Sequence, residues 1–147
     1  MKWLLSKQTY FRASIYFLIT AVIHFRFAFT LNWLFYLGGA LIGLHLLEFV
    51  EYIVKFSPSP FRTIFAQGVV AVVTFFVLTS SRNNLGAGLV LFLNLYFYTA
   101  ARSEFLTKRT LESWFLMLQN TNEASYKNYI NLVLVVFCIE TLIFILT

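Results

Sequence analysis

Along this chain, long apolar runs alternate with short polar breaks. A helix needs about 20 apolar residues to cross a bilayer, and five runs of that order can be read. The first covers about 8–29, and Thr30-Leu31-Asn32 separates it from a second over about 33–54. Lys55-Phe56-Ser57-Pro58-Ser59-Pro60 is the strongest break. There Ser59 is placed to cap the next helix and Pro60 to occupy its first turn, where a missing N–H costs nothing. The third run covers about 61–79 and ends in the polar turn Ser80-Ser81-Arg82-Asn83-Asn84; the fourth covers about 85–101 and the fifth about 129–146.

The segment between the fourth and fifth runs has a different pattern. Leu111, Trp114, Phe115 and Leu118 recur at helical spacing on one face. Glu104, Lys108 and Glu112, spaced by four, can pair along another face. The apolar stripe is too short to span, so an amphipathic helix over about 103–118, lying in the membrane interface, is expected. A polar loop, 119–126, should follow it.

Composition supports this pattern. Of 147 residues, 60% are hydrophobic and only 12% charged, against about 25% charged in a soluble domain. So few polar side chains cannot cover a globule. The expected fold is an all-α integral membrane protein: one polytopic domain over 1–147, with about five transmembrane helices and the interfacial one. Trp3, Trp33 and Trp114 fall at expected interfaces. Cys138, the single cysteine, lies inside an apolar run and reads as a small buried apolar residue.

The net charge of +5 does not indicate nucleic acid, because the bases stand singly at the ends of apolar runs. Five crossings put Lys2, Lys7, Arg12, Lys55, Arg62, Arg102, Lys108, Arg109 and Lys127 on one side, and leave Arg26 and Arg82 on the other. Basic residues stay cytoplasmic during insertion, which places the N-terminus inside and the C-terminus outside. No small-x-small cleavage site follows the first apolar stretch; His24 and Arg26 come instead, so that run is expected to remain as a helix.

Ionisable groups inside a bilayer cost about 2.5–3.5 kcal/mol each and persist only when paired, hydrated or used. His45 and Glu48 share a face of the second run, Glu140 sits near the middle of the fifth, and His24 and Arg26 lie in the outer half of the first. Two readings follow. In one, His45, Glu48 and Glu140 form a proton or cation site. In the other they are interhelical locks, Glu140 with His24 or Arg26 and Glu48 with His45. Glu51 is expected to reach the cytoplasmic surface beside Lys55.

Arg12, Tyr16, Thr20 and His24 step by four, as do Asn94, Tyr98 and Arg102, while Thr63, Gln67 and Thr74 line one side of the third run. Such polar rows usually hold helices together. Gly39 and Gly43, four apart, allow a second backbone to come close, within the chain or between copies.

No nucleophile elbow, phosphate-binding lysine loop or HExxH sequence is present. Two histidines are too few for most membrane metal centres, so no metal or other cofactor is expected. The partners implied are the lipid bilayer and either further copies of the chain or other membrane subunits. The first functional expectation is a small ion- or proton-linked transport protein or channel, oligomeric because five short helices enclose little room. The second is a non-catalytic accessory subunit of a larger membrane complex, with enzyme activity third.

Overall fold

The computed structural model describes residues 7–26, 30–55, 60–80, 83–115 and 122–147. They form five helices: α1 (Lys7–Phe25), α2 (Leu31–Val54), α3 (Ile64–Ser80), α4 (Asn84–Lys108) and α5 (Glu123–Leu146). Three of them, α2, α4 and α5, have 24, 25 and 24 residues and are long and apolar enough to cross a membrane. At 1.5 Å per residue each reaches about 36 Å, more than the ~30 Å hydrocarbon thickness.

Local chemistry sets the helix ends. Asn83 accepts a bond from Leu85 N at 3.0 Å to start α4, and Asn122 accepts one from Ser125 N at 2.9 Å to start α5. Each satisfies a first-turn N–H that no helical carbonyl can reach. The Asn122 cap moves the fifth helix forward to Glu123, so 122–126 is cap and first turn, not part of a polar loop. The third helix starts later than Pro60 suggests. Thr63 Oγ1 accepts from Ala66 N at 3.2 Å, so Thr63 does the capping; Ser59 lies outside the described residues. At the other ends, Lys55 and Arg109 take left-handed backbone conformations, and their N–H groups return to Glu51 O and Phe105 O.

The bundle is organised around α4, which touches all four other helices and is the most buried of them. The others turn apolar side chains outward: Phe11, Ile15 and Leu18 on α1, Leu41 and Phe49 on α2, Phe65, Val72 and Phe76 on α3, Leu132 and Leu142 on α5. An apolar exterior this extensive is that of a bundle solvated by lipid rather than water. Cys138 faces outward with it, contrary to the burial expected of it.

The closest helix contact joins α2 to α4. A Cβ added to Gly39 would lie 2.8 Å from Leu89 N and nearer still to Leu85 O, and one on Gly43 would fall 3.0 Å from the Leu89 carbonyl carbon. Gly88 does the same from the α4 side, where a Cβ would stand 2.9 Å from Ala40 N. The Gly39–Gly43 pair therefore acts within the chain, where bare backbones give the two helices their contact area. Because Gly39 meets Leu85 and Leu89 while Glu48 meets Tyr96, α2 and α4 run parallel.

Among the described residues, 103–115 form no separate interfacial helix; 116–118, and with them Leu118, lie outside those residues. Instead α4 runs on to Lys108, Arg109 reverses the chain, and 112–114 makes a turn that folds under the bundle. The apolar stripe goes inward rather than into headgroups: Trp114 is only 1% exposed, and Leu111 and Phe115 are buried too. The reason is a specific set of partners. Trp114 packs on Phe97 and Tyr129, its Nε1 donates to Glu104 Oε2 at 2.9 Å, and its carbonyl accepts from Ile64 N at 3.2 Å. The 104–108 pairing read from the sequence is present, with Lys108 Nζ 3.0 Å from Glu104. Trp114→Phe keeps most of the packing and removes the bond to Glu104. It should lower stability by about 1.5–3 kcal/mol, the usual worth of a hydrogen bond to a charged group, as read by thermal unfolding in detergent. An unchanged melting temperature would show that this corner is held by apolar contact alone.

Candidate functional site

Two polar centres lie on different sides of α4, because Asn94 and Tyr96 point about 200° apart around the helix. The first joins α3, α4 and α5. Asn94 Nδ2 donates to Glu140 Oε2 at 2.9 Å and to Thr74 Oγ1 at 2.7 Å. Glu140 is 3% exposed, and its Oε1 has no hydrogen-bond partner among the described residues. About two turns away along α3 and three along α5, Tyr129 donates to Gln67 Oε1. Gln67, Asn94, Tyr129 and Glu140 border a cavity of about 130 Å³ between α3 and α5, whose other walls are mainly apolar, including Ala71, Val133 and Phe137.

The second centre lies near the C-terminal ends of α2 and α4. Arg62 holds Glu51 with two parallel bonds, Nε to Oε1 at 2.7 Å and Nη2 to Oε2 at 2.8 Å. This is the bidentate geometry that makes guanidinium–carboxylate pairs strong. Burial works against the Arg62 charge, but the bonds to Glu51 together with the nearby charges of Glu51, Tyr96 and Glu104 outweigh it and hold the proton more firmly than in a free arginine. Arg62 Nη2 also donates to Tyr96 Oη at 3.1 Å, and Tyr96 in turn donates to Glu48 Oε1 at 3.5 Å. Glu48 Oε2 is buried and takes no hydrogen bond among the described residues. A cavity of about 350 Å³ opens here, with Glu48, Arg62, Glu104 and Lys108 around it.

The residues singled out from sequence are thus spread over several places. His45 pairs with Tyr10 of α1, Nε2 to Oη 3.4 Å, while Glu48 takes Tyr96. His24 stacks on Phe144 of α5, ring centroids 4.2 Å apart, beside a cavity of about 140 Å³ at the opposite end from Glu48. Arg26 is exposed in a left-handed conformation just past α1. Glu140 therefore has Asn94 as its partner where His24 or Arg26 was expected, and Glu51 has Arg62 where Lys55 was expected. The polar rows hold helices together: Tyr16 bonds Thr141 at 2.9 Å and Thr20 bonds Tyr36 at 2.8 Å.

Sequence reasoning passed over Tyr96 and Arg62 as site residues and placed Asn94 only in a packing row. An amide in the middle of an apolar run was the available signal, since it must find a partner of similar depth, and Glu140 is the acceptor in the middle of another run. Among the described residues no three His, Cys or carboxylate side chains come together as a metal site would require. Compared with known families, characterised proteins and solved structures, the chain matches none.

Proposed function

We propose that this chain is a five-span membrane protein that moves a proton or cation, and that Glu140 is its central site. The observation that carries this reading is the state of that carboxyl: buried at mid-helix, bonded through one oxygen, with the other oxygen unpartnered and a cavity alongside. A purely structural lock would use both oxygens, because each unpaired polar atom in a low-dielectric interior costs stability. Such an atom is kept where a moving charge needs an acceptor.

The five-span topology accommodates the two shorter helices. The 19 residues of α1 and 17 of α3 rise about 28 and 25 Å, within the range of spanning helices. This arrangement leaves nine of the eleven bases on the side of the N-terminus, which makes that side cytoplasmic.

Glu140→Gln tests the reading. It preserves shape and removes the charge, so proton or cation flux in reconstituted liposomes should fall at least about tenfold while the protein stays folded and monodisperse. A stable unmodified protein with no flux for protons, sodium or potassium would instead support the accessory-subunit reading, in which a partner chain satisfies Glu140 and Glu48.

A further inference from the structure

We propose that the cavity between α3 and α5 binds a small organic ammonium ion, about the size of one aromatic ring, with Glu140 accepting its N–H. The inference rests on the reading of Glu140 as a transport site and names the substrate class.

The cavity is amphipathic in a way that selects such a ligand. Gly68, Ala71, Val133, Val136 and Phe137 give it apolar walls, and Glu140 gives it a carboxyl. Two neighbouring polar atoms are already engaged: Gln67 Oε1 with Tyr129, and Asn94 Nδ2 with Thr74 and Glu140. The carboxyl oxygen with no partner is Glu140 Oε1. A bare metal ion needs a shell of oxygens to replace its water, about six or more for magnesium or calcium, and one free carboxyl oxygen among aliphatic walls cannot supply it. An ammonium needs only one strong charge-assisted bond, and its carbon body covers the apolar walls. The volume, about 130 Å³, is close to the ~150 Å³ of an apolar cavity known to admit benzene.

Charge and access agree with this. The titratable group that interacts with Glu140 is Tyr16 of α1, bonded to the adjoining Thr141; Tyr129 stands about three turns away along α5 at the far end of the cavity, and α3 and α4 contribute only the uncharged Gln67, Thr74 and Asn94. None of these supplies a positive charge to balance a carboxylate. The mouth lies between Gly68 and Leu132, both exposed on the apolar outer surface of the bundle. A ligand therefore enters sideways from lipid, where amphiphilic amines concentrate, rather than from either aqueous end.

The test uses the purified full chain in a neutral detergent, titrated with benzylammonium and, for comparison, with uncharged benzyl alcohol. Calorimetry or saturation-transfer NMR should show saturable benzylammonium binding, with benzyl alcohol about 10- to 100-fold weaker, the factor expected from losing a charged hydrogen bond. Glu140→Gln should weaken benzylammonium by a similar factor. Ala71→Leu, which fills the cavity and leaves the carboxyl bonded to Asn94, should also abolish binding, and it stands in for Glu140→Gln if that variant does not fold. Equal binding of the two probes, binding indifferent to Ala71→Leu, or no saturable binding would each overturn the proposal. Liposome flux measured without any amine separates the two readings. Flux of protons or inorganic cations without benzylammonium binding removes this inference and leaves Glu140 as a transport site. Specific binding without flux, even of benzylammonium, does the reverse.

Discussion

Gly39→Ala and Gly43→Ala should each destabilise the protein toward the upper end of the ~1–3 kcal/mol typical of overpacking, and the double variant should no longer give a monodisperse particle. The added methyl at either position meets backbone, the Leu85 carbonyl or the Leu89 peptide, not a side chain that could rotate away. Relief therefore requires the whole of α2 to move off α4, breaking the largest helix interface in the bundle. Two internal controls make the experiment specific. Gly38 and Gly68 have nothing within 4 Å of an added Cβ, so alanine there should be neutral or stabilising by about 0.4–1 kcal/mol through the unfolded state. Denaturation of all four variants in detergent, followed by helical circular dichroism, reads the difference. Equal losses at Gly38 and Gly39 would mean that the α2–α4 contact is not the one described.

The second large effect is expected at Asn94. Replacing it with leucine conserves volume roughly but removes the donor shared by Thr74 and Glu140. Glu140 would then have neither oxygen bonded within the bundle, and the loss should reach about 3 kcal/mol, as when one partner of a buried charged pair is deleted. The combined change Asn94→Leu with Glu140→Leu should recover much of that loss, because an apolar pair asks nothing of its surroundings. The coupling between the two positions, about 1–3 kcal/mol, follows from the double-mutant cycle. Strict additivity would show that Asn94 does not support Glu140.

Much of the architecture is legible in the sequence because helix formation and lipid exposure depend on properties repeated along every run. Twenty apolar residues between Asn, Ser and Pro breaks leave few options, and the five helices lie where the breaks put them, although α4 runs on past the expected 101 to Lys108 and α5 begins at Glu123 rather than about 129. The small pair at Gly39 and Gly43 likewise announces a close contact, although the pattern does not reveal that Gly88 completes it from the other side. Misreadings concentrate where one residue's partner decides the outcome. The periodicity of Leu111, Trp114 and Phe115 fits a helix on the membrane surface as well as a turn tucked beneath the bundle; Glu104 and Ile64 bond Trp114 into the second. Partner choice among buried polar groups is hidden for the same reason. Depth can be read from the sequence, but rotation around the bundle cannot, so the lock reading pairs Glu140 with His24 or Arg26 when Asn94 faces it.

The parallel pairing of α2 with α4 has a consequence for how the protein is made. The two helices are neighbours in space but not in order of synthesis, since the whole of α3 is translated between them. A ribosome adding about 5–20 residues per second needs roughly 3–10 s to pass from Val54 to Lys108. For that interval α2 has its glycine groove open and its Tyr36 and Ala40 backbone uncovered. The nascent chain therefore passes through a stage in which this contact is missing, and the arrival of α4 is the event that closes the molecule.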